Sequence, residues 1–484
     1  MASLDELRAV RVAKLEKLRS LGIDPFPAKV ARDASLADVK GDFARYESSE
    51  ATFSVAGRVM AVRGQGAILF VVLDDGTERL QCVFKKDEMD EAVFALFGET
   101  VDIGDFISVN GTAFVTQRGE QSVLTKTWTM ASKSLLPLPE KWHGIEDEDE
   151  RLRKRYLDMA MNPEMREMFR KKSEFWRAVR DFMHDRGFLE METPTLETTT
   201  GGAEARPFLT HHNDYDLDVF LRISVGELWQ KRLMAGGFPK TFEIGRVYRN
   251  EGTSPEHAQE FTNLEFYWAY ADDADGRDLV RDLYRHIAMR VFGTTKFTTR
   301  GHEFDLADEW REVDYCTEIK DRTGIDVLTS SEDEMKAKLS ELGVKYDGDN
   351  RERLADTLWK YCRKSIAGPA FLVNHPKLVA PLAKANADGN SVRMFQPLIA
   401  GSELGRGYSE LNDPIDQRER FELQQTLIDR GDDEAMMADW EFVEMLEHGM
   451  PPVCGFGFGE RLFAFFMDKT LRETQTFPLV RPKQ

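Results

Sequence analysis

The stretch 242–273, "FEIGRVYRNEGTSPEHAQEFTNLEFYWAYADD", crowds Arg, Glu, His and Asn between two segments of strand character. Side chains alternate between the two faces of a strand. In the second segment Phe261, Asn263, Glu265 and Tyr267 therefore share one face, and Thr262, Leu264, Phe266 and Trp268 the other. The second set suits a core. The first set is a poor core and a good pocket wall, with a ring to stack on, a carboxylate and a phenol. In the first segment Arg249 falls on the face of Glu243, Gly245 and Val247 and leads into Asn250 and Glu251. A guanidinium at a strand end suits an anionic ligand, because its planar fork grips phosphate through two hydrogen bonds. A surface hairpin laced with salt bridges is the alternative.

Two other stretches carry comparable chemistry. In "CGFGFGERLFAFF" (454–466) Gly455, Gly457 and Gly459 alternate, so one strand face is bare backbone while Phe456 and Phe458 pack on the other. Such a strand admits the close approach of a ligand or of another backbone. Arg461 then opens a helix, beside the positive end of its dipole. A bare face ending in an arginine suits a flat base and a polyphosphate; tight packing on a neighbouring strand is the alternative. In "AGSELGRGYSELNDP" (400–414) Glu403 and Glu410 bracket a glycine-rich strand. These carboxylates suit a divalent cation or a cationic substrate, with loop-end capping as the alternative. There is no Walker A motif, and no GxGxxG joins a strand to a helix, so neither a P-loop nor a Rossmann nucleotide site is supported.

The elements that must position these residues follow from periodicity. Residues 4–20 have helical spacing and stop at Gly22. From about 52 the period becomes two. "TFSVAGRVMAVR", "GAILFVVLD", "TERLQCVF", "DFISVNGTAFVT" and "SVLTKTWTMA" read as five strands, with turns at Asp75-Gly76 and Arg118-Gly119. Five short strands suit a small closed barrel, of which the OB-fold is the commonest with a nucleic-acid habit. A structural barrel without a ligand is the alternative. Asn110-Gly111-Thr112 reads as a hairpin turn rather than a glycosylation site. Prolines and charge blocks at 139–160 read as a linker. A long amphipathic helix covers 164–186, with Gly187 as its cap. Strands dominate 188–272 around a helix near 226–236. Helices dominate 275–292 and 332–366, strands return at 392–411, and helices follow at 417–430 and 433–448. A last strand and helix fill 453–475. This order indicates an α+β fold with a largely antiparallel sheet flanked by helices.

With 484 residues the chain can build two or three sizeable cores. No apolar run has the length of a membrane span, and the charged N-terminus lacks the h-region of a signal peptide. Cys82, Cys316, Cys362 and Cys454 are too scattered for a zinc or disulfide framework, which points to a reducing cytoplasm. A net charge of −20 argues against indiscriminate coating of nucleic acid, though not against local basic patches. The candidates are the N-terminal helix (Arg8, Arg11, Lys14, Lys17) and "RLRKR" at 151–155, with solvated helix faces as the better reading on charge alone.

"YRNEG", followed by His257 and "EFTNLEFYWAYAD", resembles motif 2 of the class II aminoacyl-tRNA synthetases. "GFGFGERL" resembles motif 3, and "RGFLEMETPTL", with Pro194, resembles the dimerising motif 1. "GGAEARPFLTHHNDYDLDVFLRI", "SELNDPIDQRERF", "GDDEAMMADWEFVEMLEHGMPP" and the terminal "TFPLVRPKQ" are similar to the bacterial lysyl-tRNA synthetase family, of subclass IIb. The likeness covers nearly the whole chain. It implies an N-terminal helix and lead-in (1–50), an OB-fold anticodon-binding domain (51–138), a linker (139–160) and a class II catalytic domain (161–484) with a helical insertion at 315–370.

The resemblance further implies a cytoplasmic homodimer that activates L-lysine with ATP and magnesium and transfers it to the 3′ end of lysine tRNA. By position, Arg249 would hold the ATP α-phosphate and Arg461 the γ-phosphate, with His257 near the terminal phosphates. Glu251 would read the adenine amino group and Phe261 stack on adenine. Glu403 matches a magnesium ligand, and Gln396 stands where the pattern has a second metal-binding glutamate. Gly202, Glu227, Glu265, Tyr267, Tyr408 and Glu410 would line the lysine pocket. Phe70, Gln81, Arg58 and Glu120 would meet the anticodon. Glu256 stands in place of an arginine, Arg406 in place of an asparagine, and "RISVGEL" lacks the usual proline before Glu227. The rival readings are an aspartyl- or asparaginyl-tRNA synthetase, which Arg406 favours, a lysine ligase acting on a protein, whose relatives lack the barrel, and a non-catalytic tRNA-binding paralogue.

Overall fold

The computed structural model describes residues 3–64, 66–139, 147–203, 205–252, 254–346, 348, 350–377, 380–429 and 436–483. The chain divides into two compact units, Met1–Arg166 and Glu167–Gln484.

In the first unit α1 (Leu4–Ser20) begins with a capping box in which Ser3 and Glu6 satisfy each other's backbone N–H groups. Its basic face is not simply solvated. Arg11 is buried and donates to Ser134 Oγ at 2.6 Å and to the Ile103 carbonyl at 2.9 Å, while Lys14 lies 2.6 Å from Asp102. Two short helices, α2 (Leu36–Gly41) and α3 (Phe43–Ser49), lead into β1 (Phe53–Arg63), β2 (Ile68–Asp74) and β3 (Arg79–Lys85). Then come α4 (Glu91–Thr100), β4 (Phe106–Val115) and β5 (Gln121–Ser132). The five strands close a barrel in the order β1-β2-β3-β5-β4. Period two called for the strands; α4, absent from that reading, drives Phe94 and Phe97 into the barrel core. Asn110-Gly111-Thr112 is not a turn. It lies inside β4 at a register shift against β5, where a Cβ on Gly111 would stand 2.1 Å from the Leu124 carbonyl oxygen.

The expected linker is also different. Residues 140–146 lie outside the described residues, and the rest forms α5 (Glu148–Arg153) and α6 (Arg155–Met161). "RLRKR" is not a free basic face either: Arg155 is buried and lies 3.2 Å from Asp158. α7 (Pro163–Asp185) follows and ends before Gly187, whose φ of +77° only glycine adopts readily.

The second unit is built on one large sheet. Its chain order is β6 (Leu189–Glu190), β7 (Leu196–Glu197), β8 (Phe208–His212), β9 (Leu217–Leu221), α8 (Glu227–Ala235), β10 (Lys240–Tyr248), β11 (Glu260–Ala269) and α9 (Asp273–Ile287). A π-helical turn at Ala288–Phe292 extends α9. Next come β12 (Lys296–Thr299), β13 (His302–Asp305), β14 (Arg311–Asp314) and α10 (Tyr315–Thr323). The helical stretch expected at 332–366 is two helices, α11 (Glu332–Glu341) and α12 (Arg351–Arg363), which share a core of Ile319, Met335, Leu339, Leu354, Leu358 and Trp359 with α10. The chain ends with β15 (Ala370–Val373), β16 (Met394–Ile399), β17 (Ser402–Glu403), β18 (Arg406–Ser409), α13 (Pro414–Asp429), α14 (Trp440–His448), β19 (Val453–Gly459) and α15 (Arg461–Phe466). The helix expected from 433 thus starts at Trp440, and 430–435 lie outside the described residues.

Among the described residues the sheet runs β14-β15-β16-β18-β19-β11-β10-β6, with β17 paired to β16. Its pairs are antiparallel except β14–β15 and β6–β10. The face opposite the glycines is core. Phe456 stacks on Phe395, and Phe458 lies against Phe175, Trp176 and Tyr284. Each such ring contributes about 1.5–3 kcal/mol by leaving water. That burial fixes which face of β19 and β11 remains for chemistry.

Candidate active site

Cross-strand partners lie on the same face of a sheet, so register turns a sequence pattern into a row of side chains. One row reads Glu243 (β10), Glu265 (β11), Gly457 (β19) and Arg406 (β18). The next reads Thr241, Tyr267, Gly455 and Tyr408, and a third reads Gly245, Asn263 and Gly459. In every row the β19 position is glycine. The β11, β19 and β18 members of these rows floor a cavity of about 390 Å³ lined by Arg249, Glu251, Phe261, Glu265, Arg461 and their neighbours. The glycines are needed for the side chains beside them. A Cβ on Gly455 would stand 2.1 Å from Glu410 Oε1, one on Gly457 2.8 Å from Glu265 Cγ, and one on Gly459 2.6 Å from Asn263 Oδ1. The bare strand packs tightly on its neighbours and also lines the cavity.

At one end of the cavity sits an acidic cluster. Glu227, Glu265 and Glu410 are all buried, with Tyr267 and Tyr408 beside them. Glu265 accepts from the Val225 N–H at 2.7 Å and from the Tyr267 hydroxyl at 3.1 Å. This ties β11 to the start of α8, whose cap, Gly226 (φ +67°), has no room for a side chain against Thr193. Gly202 (φ +86°) similarly leaves space for the Glu227 side chain. The Tyr408 hydroxyl donates to Glu227.

The cluster includes a residue that the sequence reading missed. Lys231, one turn after Glu227 on α8, is 1% exposed, with its Nζ 2.8 Å from Glu227 Oε1 and 2.5 Å from Glu410 Oε2. Its only sequence signal is the i,i+4 spacing from Glu227, which ordinarily marks a surface pair. Lys231 thus serves one Glu410 oxygen, and the other, Oε1, receives no hydrogen bond among the described residues.

Burial sets the protonation states here. It pushes the Glu265 carboxyl up to about 8, with the Glu227 charge adding to the shift and the Val225 N–H and Tyr267 opposing it. Glu410 is raised well above the usual carboxylate range by burial, against the pull of Lys231. Burial lowers the Lys231 ammonium, but Glu227 and Glu410 outweigh it and raise its pKa. Lys231 is therefore the fixed cation of the cluster.

The middle of the cavity holds Arg249, just past β10. Its Nε and Nη2 each lie 3.3 Å from the Ile223 carbonyl, and its guanidinium lies 5.3 Å from the centre of the Phe261 ring. Glu251 and His257 line the same space, and His257 Nδ1 is 2.7 Å from Ser254 Oγ. Buried Asn263 Oδ1 has no hydrogen-bond partner among the described residues. Arg406 also lines the cavity without a side-chain hydrogen bond or ion pair among them.

At the far end Arg461, the first residue of α15, is ion-paired with Glu256, and Glu256 is also paired with Arg300. Glu403 accepts from Trp359 Nε1 and lies 4.0 Å from Arg363. Gln396 lies with its Oε1 2.7 Å from Nε2 of buried His375, whose ring burial keeps neutral, with its pKa pushed down to about 3. With Oε1 accepting from Nε2–H, the Gln396 oxygen keeps one further lone pair, and its amide NH2 stays free to donate. The two residues expected at a metal thus differ in kind: Glu403 offers a carboxylate, Gln396 a neutral amide engaged with His375.

On the barrel, Arg58, Phe70 and Gln81 share the outer face of β1, β2 and β3, opposite the core residues Val59, Val71 and Cys82. Gln81 Nε2 donates to Ser122 Oγ at 2.9 Å, and Arg58 lies 4.3 Å from the centre of the Phe106 ring. Glu120 sits in the turn before β5, exposed, with no side-chain contact to the other three.

An antiparallel sheet carrying a phosphate-suited arginine, a glycine strand and a buried acidic end is the architecture of a class II synthetase, and the chain belongs to that family. The family of class II tRNA synthetases for D, K and N matches residues 147–481, and the OB-fold nucleic acid binding domain matches 53–131. More narrowly, the chain is similar over its length to curated proteins named lysine–tRNA ligase. That of Thermotoga maritima is 40% identical, covering 99% of this chain and 97% of the relative. Those of Roseiflexus castenholzii and Moorella thermoacetica are each 41% identical, covering 99% of this chain and 100% and 99% of the relatives.

The Glu265 shift has a stability consequence with a definite sign. Between the ordinary value of 4.5 and about 8, the folded chain keeps a proton that the unfolded chain has released. Stability therefore falls as pH rises through that window, by up to about 1.4 kcal/mol per pH unit, and levels off above it. Glu265→Gln removes this slope. Denaturant unfolding from acidic to mildly alkaline pH is expected to show the variant gaining on the wild type as pH rises; parallel curves would contradict the assigned shift.

Proposed function

We propose that the chain activates L-lysine with ATP, forming lysyl-adenylate and pyrophosphate, and transfers the lysyl group to the 3′ end of lysine tRNA. The observation that carries this reading is Glu410: a buried carboxylate, raised in pKa, with Lys231 at Oε2 and no hydrogen bond to Oε1 among the described residues. A lysine ammonium is a strongly hydrated point charge, and burying it requires an anion in place of water. Glu410 supplies that anion, with Tyr267 beside it. Glu227, Glu265 and Tyr408 take the rest of the amino acid, with Gly202 at the rim.

ATP fits the remainder. Phe261 stacks on the adenine, Glu251 accepts from its amino group, Arg249 grips the α-phosphate, and Arg461 and His257 meet the terminal phosphates. The lysine carboxylate attacks the α-phosphorus as the bond to the β-phosphate oxygen breaks. The nucleophile is already an anion, so no general base is required. Rate enhancement comes from alignment and from positive charge around the phosphates. Magnesium prefers a few carboxylate oxygens together with substrate phosphates. Glu403 fits that role, and Gln396, with its oxygen turned to His375, does not add a second anionic ligand. When bound, the ion screens the repulsion between polyphosphate and carboxylate.

Arg406 favours a second reading, an aspartyl or asparaginyl enzyme, because it brings an unpaired cation into the row of Glu265. Three buried carboxylates would repel an acidic side chain, so the lysine reading is preferred. The barrel face of Arg58, Phe70 and Gln81, with Glu120 at its edge, is assigned to the anticodon. A cytoplasmic homodimer through the motif 1 segment completes the proposal; sedimentation as a monomer at micromolar concentration would contradict the dimer.

Leaving one member of a buried charge pair alone costs roughly 3–5 kcal/mol, or about two to four powers of ten. Glu410→Gln keeps the shape and removes the charge. In ATP–pyrophosphate exchange it is expected to raise the lysine KM by about a hundredfold or more, with little change for ATP. Wild-type exchange driven by aspartate or asparagine instead of lysine would overturn the reading.

The anticodon assignment is tested by Phe70→Ala. Loss of one base stack, about 1–3 kcal/mol, is expected to impair tRNA charging while leaving exchange intact. Equal loss of both activities would contradict it.

A further inference from the structure

We propose that Arg300, at the tip of the β12–β13 hairpin, is a second arginine for the terminal phosphates of the polyphosphate, held ready by Glu256 together with Arg461. The inference rests on the ATP reading above and names a residue outside the sequence motifs that carry it. Glu256 presents one carboxylate oxygen to Arg300 and the other to Arg461, so two guanidiniums converge on a single small anion. Two phosphate oxygens are spaced much like those of a carboxylate and take the same charge-assisted hydrogen bonds. A terminal phosphate that displaces Glu256 therefore meets both arginines without either having to move far. Glu256 is also the natural member to leave, since its side chain is 30% exposed and it lines the cavity.

The backbone around Arg300 supports a dedicated placement. Thr299 and His302 pair across a two-residue turn, with Arg300 at φ +53° and Gly301 at φ +78°. Such a turn needs positive φ at both central positions and favours Asn-Gly. An arginine in the first position carries a steric penalty that asparagine would reduce. Residues kept in such conformations are held by their surroundings. Here the Arg300 backbone N–H donates to Asp468 Oδ1 at 3.1 Å, and its Nη1 donates to Ser402 Oγ at 3.1 Å. The guanidinium also lies 5.5 Å from the centre of the Phe465 ring. Ser402 adjoins Glu403 in sequence, and Phe465 lies one turn after Arg461 on α15, so the hairpin tip is anchored to the elements that carry both residues.

The test compares ligands with and without the distal phosphates. Calorimetric titration of Arg300→Gln with ATP and with AMP is expected to show ATP binding weakened on the order of tenfold or more, the loss of a charge-assisted contact. AMP binding, which never reaches Arg300, is expected to stay at its wild-type value, as is the lysine KM in exchange. Equal weakening of ATP and AMP, or no change in ATP, would overturn the proposal. Glu256→Gln, which keeps the shape but weakens the competing anion, is expected to bind ATP more tightly; weaker ATP binding would show that Glu256 is not displaced. Absence of lysine-dependent exchange in the wild type would instead refute the underlying ATP reading, so the two failures are distinct.

Discussion

Three carboxyl groups buried within one cavity cannot all ionise without cations, and the rest of the second unit is arranged around that constraint. Lys231 answers it in part, with Nζ 2.8 Å from Glu227 and 2.5 Å from Glu410. The glycines of β19 make physical room for the acids, since a Cβ at Gly455 would fall 2.1 Å from Glu410 Oε1. Glu265 in turn fixes the start of α8 by accepting from the Val225 N–H, which places Glu227 and Lys231. Removing the ion pair's partners one at a time is costly because the survivor stays buried. The pocket therefore tolerates its charge only as a set, and the proposed lysine ammonium would be a second cation beside Lys231.

The opposite end of the cavity has the reverse sign and a similar solution. Arg461 and Arg300 share the carboxylate of Glu256, while Arg249 leans on a carbonyl and on the Phe261 ring. An amino acid with a cationic side chain and an anionic carboxylate, set beside a polyphosphate, matches that order of charges along the cavity. On the proposed reading a carboxylate nucleophile needs alignment and neutralisation more than proton transfer, and the arginines would supply both.

Much of this was legible in the sequence because it is local. Alternation alone separates Phe261, Asn263, Glu265 and Tyr267 from Thr262, Leu264, Phe266 and Trp268, and the β10–β11 register keeps that separation. The five barrel strands and the turn glycine at 76 are likewise period and turn chemistry. The failures are long-range or ambiguous. Lys231 looks like a surface partner of Glu227, and only the packing of β11 and α14 against α8, with the rings of Tyr267, Tyr408 and Phe442 around it, buries it. The Arg300–Glu256 contact joins residues 44 apart, with no pattern linking them. Asn-Gly serves bulges as well as turns, so Asn110-Gly111 was misread. The apolar run in α4 sits between strands, and its helical period is too short to stand out.

The central claim is that the acidic end takes a cation in exchange for a proton. Calorimetry of lysine binding near neutral pH, repeated in buffers of different ionisation enthalpy, measures that exchange directly. Glu265, pushed up to about 8 by burial, is largely protonated there. An arriving ammonium lowers the pKa of a nearby carboxyl. The account predicts net release of a fraction of a proton up to about one per site, lost in Glu265→Gln. Proton uptake, or heats that do not depend on the buffer, would contradict it.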